Sequence, residues 1–164
     1  MSVVPFERIV ELHGPALLRF CAAQAPAGRA EDVFQETMLA ALRAYGRVRE
    51  PGSVRAWLFS IAARKAIDAH RDRARAPAPG IDPDRAAGAD EPGSADGAIW
   101  AHVRRLPEKQ REAVALRYVA DLSHREIGQV MQTSEAAARR NVFEALRRLR
   151  AELDAGPEGR NETS

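Results

Sequence analysis

The chain has 164 residues, room for one ordinary domain or two small ones with modest cores, and its 5% aromatic content with abundant alanine excludes a β-sandwich in favour of closely packed helices. The net charge of +2 with a pI of about 9.1 makes overall charge a weak guide to partners, so its distribution has to be read segment by segment. A single cysteine, Cys21, excludes an internal disulfide and a zinc site built on several thiolates. Glu7, Arg8 and Glu11 interrupt the N-terminal run before it reaches signal-peptide length, and no stretch approaches the roughly 20 apolar residues of a membrane span. The expectation is an all-α, soluble, cytoplasmic protein with no membrane insertion, no metal and no cofactor.

From Pro5 to about Ala25, Phe6, Ile9, Val10, Leu17, Leu18 and Cys21 recur at helical spacing, and Gly14-Pro15 predicts a kink or break within the run. Arg29 to Tyr45 predicts a second helix with Phe34, Met38, Ala41, Leu42 and Tyr45 on the inward face. Its other face holds Asp32, Gln35, Glu36, Leu39 and Arg43. Acidic groups at a helix start complement the helix dipole, and the same groups suit a docking surface for another protein; both readings stand at this point.

Gly46 to Gly52 carries Arg47 and Arg49 across a connection short enough for antiparallel neighbours. Ser53 to Arg75 predicts a third helix, N-capped by Ser53, with Val54, Trp57, Leu58 and Ile61 as the anchoring stripe. Its later half is basic. Arg64, Arg71 and Arg75 fall on one stripe with Lys65, His70 and Arg73 nearby, and six cations stand against two acids between Ser53 and Ala76. Such a helix suits nucleic acid or a plain solvated face. Trp57 and Trp100 read as packing residues, and His13, His70, His102 and His124 are too scattered to make a catalytic cluster.

Pro77 to Gly97 is crowded with Pro, Gly, Ala and Asp, holds one Arg against five acids, and predicts a flexible linker. Helical patterning returns from Ala98 with Ile99, Trp100 and Val103, breaks at Leu106-Pro107, and continues through Ala113, Val114, Leu116 and Tyr118. Ser123 and Ser134 then each open a helix, the first with Glu126 in the capping-box position. Ile127, Val130 and Met131 are placed to pack on Ala138, Val142, Leu146, Leu149 and Leu153, with Arg140 and Arg147 outward and Glu144 between them. This is helix-turn-helix spacing. From Ala98 to Leu153 eleven basic residues stand against seven acidic ones.

In order and spacing, AEDVFQETMLAALRAY, VRAWLFSIAARKAIDAHR and LPEKQREAVALRYVADLSHREIGQVM resemble regions 2 and 4 of the sigma-70 family, in the compact extracytoplasmic-function (ECF) group that lacks region 3, over about Phe6 to Leu153. The resemblance implies two small helical domains, residues 1–76 and 98–153, a linker over 77–97 and a disordered tail over 154–164. It implies a non-enzymatic factor that binds core RNA polymerase, through the β′ clamp helices and β flap, and directs promoter recognition, melting and initiation; a stand-alone helix-turn-helix regulator is the alternative. Glu31, Asp32, Gln35 and Glu36 match the family's polymerase-docking pattern. Arg47, Arg49, Arg55, Arg64, Lys65, Arg71 and Arg75 map to the minus-ten element, where a base is flipped from the opened strand. Ser134, Glu135, Ala137, Arg139, Arg140 and Arg147 map to the minus-thirty-five element.

An anti-sigma factor that covers these faces is common in the family. The chain departs from the pattern in three places. Ile61-Ala62-Ala63-Arg64 replaces I-A-R-N, Gln132 replaces the usual turn glycine, and Ala137-Ala138-Arg139-Arg140-Asn141 replaces T-V-K-S-R, which shifts base readout toward Arg139 and Arg140.

Overall fold

A computed structural model describes residues 4–47, 54–75 and 95–156. Seven α-helices and one 3-10 turn make up these residues: α1 Phe6–Gln24, α2 Ala30–Ala44, the turn Tyr45–Arg47, α3 Val54–Arg75, α4 Ala95–Arg104, α5 Glu108–Tyr118, α6 His124–Met131 and α7 Glu135–Asp154. The expected cap Ser53, the connection holding Arg49, most of the linker and the end of the tail lie outside the described residues.

α1 runs unbroken through Gly14 and Pro15. A proline removes one helical hydrogen bond, but Pro15 sits on the exposed side, while Ile9, Leu17, Phe20 and Cys21 pin the helix on both sides of it. On α2 the buried residues are Val33, Thr37 and Ala41, and the inward face is rotated from the expected one so that Leu42 is 55% exposed. Thr37 is tolerated there because its hydroxyl donates to the Val33 carbonyl at 2.6 Å.

The anchoring surface of α3 also differs from expectation. Leu58 is buried, but Val54, Trp57 and Ile61 are half-buried at the rim, and the core face is Ala56, Phe59, Ala62, Ala63, Ala66 and Ala69. Phe59 meets Phe20 of α1 edge-on with ring centres 5.4 Å apart. At the rim Phe6, Tyr45 and Trp57 form a row of rings with spacings of 5.4 and 6.4 Å, and the Tyr45 hydroxyl donates to the Val4 carbonyl.

The second half is built on the α6–α7 pair. Ser123 and Glu126 form both capping-box bonds, at 3.1 and 3.0 Å, and Ser134 caps α7 by accepting from the Ala137 N–H. Gln132 ends α6 in the left-handed region (φ 55°), the conformation its position in the turn required, and Asp121 does the same before α6. Gly128 makes the tight turn possible: a β-carbon there would stand 2.9 Å from the Thr133 carbonyl oxygen and 3.2 Å from the Glu135 nitrogen. Ala138, Val142, Ala145 and Leu149 form the buried side of α7. Leu153, expected inside, is 51% exposed, and the last buried residue of α7 is Leu149.

The halves pack on each other, α1 against α4 and α5 and α3 against α6. Ala113, Ala115, Leu116, Ala120, Leu122 and Ile127 belong to the same apolar core as Leu17, Phe20 and Phe59, and Val103, Leu106, Val114, Ala145 and Leu149 make a second, smaller core. Polar links also cross the seam among the described residues. Arg55 of α3 stands 3.5 Å from Asp121, and Arg111 of α5 donates to the Gln24 side-chain oxygen at 3.5 Å.

Two stability predictions follow from these contacts. Gly128→Ala forces the turn apart and should cost about 1–3 kcal/mol in urea unfolding, whereas Gln132→Gly relieves left-handed strain and should gain up to about 1 kcal/mol. Burial, reinforced by Glu108 and opposed by Arg111, pushes the half-buried Glu112 carboxyl up to about 7. The folded state therefore holds this proton more tightly than the unfolded chain, and this group's contribution falls as pH rises from about 4.5 to about 7. Glu112→Gln should match the wild type at pH 4 and exceed it at pH 8 by on the order of 1–3 kcal/mol, read as the difference between their melting curves at the two pH values.

Candidate functional site

The start of α2 presents Glu31, Asp32, Gln35 and Glu36, all exposed, on the side opposite Val33, Thr37 and Ala41. Arg29, at the N-cap, has no side-chain cap bond and instead holds Asp32 at 3.2 Å, so the first turn relies on its acids to offset the unpaired N–H groups. Leu39 and Leu42, both more than half exposed, continue this face toward the C-terminus. The surface is thus acidic at one end and apolar at the other. Sequence reasoning placed Leu42 inside because a threonine in the inward stripe reads as polar, which displaced the assigned face by about one residue.

On α3 the structure sorts the cations into two groups. His70 donates to the Gln24 carbonyl at 2.7 Å and Arg73 to the Ala27 carbonyl at 3.2 Å, so both tie α3 to the end of α1 and the connection after it. Arg64, Arg71 and Arg75 remain exposed along the helix, with Lys65 half-buried beside them. Arg47 is exposed in the 3-10 turn, and Arg49 lies outside the described residues. Arg55 is separated from the stripe and faces Asp121. Burial and the Arg55 charge lower the pKa of His13, which keeps that imidazole neutral near the seam.

On α7, Ser134 is occupied as the cap, and Ala137 is half-buried where its N–H is bonded. Glu135 pairs with Arg139 at 3.4 Å one turn on. Arg140 and Arg147 are exposed as expected, but Glu144 does not stand between them on the outer face: it is half-buried and accepts from the Gln110 side chain at 3.2 Å. His124 is lowered by burial, then by Arg117 and Arg139, so it adds no charge to this surface at neutral pH. Sequence reasoning passed over Phe143, which is 65% exposed on the same face. Projecting α7 at 100° per residue from its buried side would have found it.

These faces lie on elements whose order matches known proteins over most of the chain. Residues 9–76 match the model of sigma-70 region 2 and residues 97–149 that of sigma-70 region 4. The RNA polymerase sigma factor CarQ of Myxococcus xanthus is 35% identical over 159 residues, covering 91% of each chain. The ECF RNA polymerase sigma factor SigD of Mycobacterium tuberculosis is 34% identical over 90% of this chain and 76% of its own. The fold is shared with the sigma factor RpoE of Bartonella quintana, solved in complex with the anti-sigma factor NepR, at a TM-score of 0.75 and 21% identity over 92% of this chain and 98% of that one.

The chain belongs to the sigma-70 family, in its ECF group. It is a sigma factor, a specificity subunit for transcription initiation by RNA polymerase, and the reading as a stand-alone regulator gives way to this one. Among the described residues no helix is long and apolar enough to cross a membrane.

Proposed function

We propose that the chain docks core RNA polymerase through Glu31, Asp32, Gln35 and Glu36, with Leu39 and Leu42 extending that surface. Arg47, Arg49, Arg55, Arg64, Lys65, Arg71 and Arg75 serve the minus-ten element, the exposed stripe on α3 holding the phosphates of the opened strand. Ser134, Glu135, Ala137, Arg139, Arg140 and Arg147 carry α7 into the duplex of the minus-thirty-five element, the arginines toward bases and phosphates and the capped N-terminus toward the backbone. The factor contributes no chemistry of its own and works in the cytoplasm, with residues 1–76 and 98–153 as its two functional units and 77–97 as the tether between them. An anti-sigma factor, as NepR is for RpoE, is the expected regulator.

The observation that carries this reading is the separation of three faces. The acids of α2, the free cations of α3 and the outer side of α7 are all exposed, while the residues between them are spent on the core or on caps. Arg55 is the exception. It reaches DNA only after leaving Asp121, so its share of the minus-ten contact competes with that exposed ion pair.

Replacing Asp32, Gln35 and Glu36 together with Ala should weaken binding to core enzyme at least tenfold without loss of helicity, because none of the three side chains touches the core. Unchanged affinity would reduce the patch to a helix-dipole device. The two basic helices should fail differently. Loss of Arg139 and Arg140 should abolish protection of the upstream duplex, at roughly 1–3 kcal/mol per base contact, and lower the salt slope of binding. Loss of Arg64 and Arg71 should leave upstream protection in place and suppress permanganate reactivity of unpaired thymines. Normal strand opening by that second variant would remove α3 from the melting step.

A further inference from the structure

We infer that Gln110 is a positioning residue for DNA binding by α7: by holding the Glu144 carboxylate against α5, it keeps Arg140 and Arg147 free of an internal counter-charge. The inference rests on the proposed placement of α7 in the upstream duplex and adds to it the device that leaves the arginines of that helix available.

The helical repeat places Glu144 where it could neutralise its own helix. Arg140 lies one turn before it, and Arg147 and Arg148 lie three and four residues after it, all at spacings where an acid and an arginine meet. The same helix shows that such a pair forms when nothing prevents it, since Glu135 holds Arg139 four residues on at 3.4 Å with both side chains more than half exposed. Glu144 does otherwise. It is half-buried, and its carboxylate accepts from the side-chain amide of Gln110 on α5 at 3.2 Å. Among the described residues Arg140, Arg147 and Arg148 are exposed and enter no ion pair.

Packing does not account for an amide at position 110. Gln110 is 8% exposed in the first turn of α5, four residues before the core residue Val114, and its amide oxygen has no hydrogen-bond partner. A buried oxygen left unpaired costs stability, and a leucine of similar volume would fill the place without that cost. As a tie between helices the bond to Glu144 is poor, since 3.2 Å is long for a bond to a charged group. Its distinct effect is electrostatic. On the outer side of α7 a carboxylate would cancel one arginine or repel a phosphate directly; turned toward α5, it does neither at close range.

The test uses holoenzyme assembled with the full chain and a duplex that the wild-type holoenzyme selects from a pool randomised over the upstream element. Affinity is measured between roughly 50 and 200 mM salt. Gln110→Leu releases Glu144 and should lower the salt slope by about one unit, with a loss of affinity of about fivefold to tenfold near 0.1 M salt. Adding Glu144→Gln to that chain should restore both values, because the released side chain no longer carries charge. Circular dichroism confirms that the variants are folded. If Gln110→Leu folds poorly, Gln110→Met, unbranched and of similar length, takes its place and is read by the same two measures.

Unchanged affinity and slope in Gln110→Leu overturn the inference while leaving the placement of α7 intact. So does a loss that Glu144→Gln fails to restore, since the amide would then act by fixing the angle between α5 and α7 rather than by removing a charge. If affinity for the selected duplex survives loss of Arg140 and Arg147, the placement of α7 fails and this inference fails with it.

Discussion

Alanine sets the spacing on which the rest of this molecule depends. Ala56, Ala62, Ala63, Ala66 and Ala69 give α3 a nearly flat buried side, broken by Phe59, and α1 and α2 close on it from one side while α6 closes from another. A chain with so few aromatic residues cannot fill wide gaps between helices, so its stability comes from close approach of backbones and many small contacts rather than from a few large side chains. The same small residues continue across the seam as Ala113, Ala115 and Ala120, which is why the two halves share one core. The polar contacts there are weaker. The buried Gln24 amide nitrogen has no hydrogen-bond partner, and its oxygen is reached by Arg111 at 3.5 Å, the outer limit of a useful bond. A seam with an unpaired amide and an exposed ion pair at its edge holds by apolar contact.

How much of this could be read from the sequence depends on whether the signal was local. Caps and turns are local, and Ser123, Glu126, Ser134 and the left-handed Gln132 stand as the sequence reading required. The break at Leu106-Pro107 is local too, and Pro107 is the N-cap of α5. Inward faces were harder, because alanine carries little hydrophobic signal. The stripe assigned to α3 followed Val54, Trp57, Leu58 and Ile61, the large residues, of which all but Leu58 are only half-buried, whereas the core follows the alanines beside them. On α2 a buried threonine hid the true face and sent Leu42 inward on paper, and on α7 the apolar pattern ran on to Leu153 although burial ends at Leu149. Pro15 failed as a breaker for a tertiary reason, since contacts on both sides of it outweigh one lost hydrogen bond.

The proposed binding residues show the same division. Their exposure was legible, since charged residues opposite an apolar stripe face water. What was not legible is which of them are already engaged. His70 and Arg73 look like members of the basic stripe in sequence, yet each satisfies a backbone carbonyl near the end of α1 that would otherwise face the helix without a partner. Arg55 faces an aspartate 66 positions away, and Glu144 leaves the arginine face of α7 for Gln110. No spacing rule within one helix anticipates such pairs, because each joins elements far apart in the chain.

This sorting of charges bears on how the factor finds DNA. With a net charge of +2, the whole protein exerts little long-range pull on a polyanion, and several cations are further offset at close range: Arg29 by Asp32, Arg139 by Glu135, Arg55 by Asp121. Electrostatic, sequence-independent binding grows with the number of phosphates a protein neutralises, so a chain that compensates its own cations gives up affinity for arbitrary DNA. Among the described residues, the exposed cations outside any ion pair include Arg64, Arg71 and Arg75 on α3 and Arg140 and Arg147 on α7, two short stripes on the faces proposed for DNA. Neither stripe is long enough to hold DNA tightly alone. In the proposed placement at the two promoter elements, with polymerase fixing their separation, they act as linked weak contacts whose joint affinity far exceeds either one. On that arithmetic, the acidic face proposed to dock polymerase comes before DNA recognition, because in that proposal it supplies the frame on which the two stripes become effective.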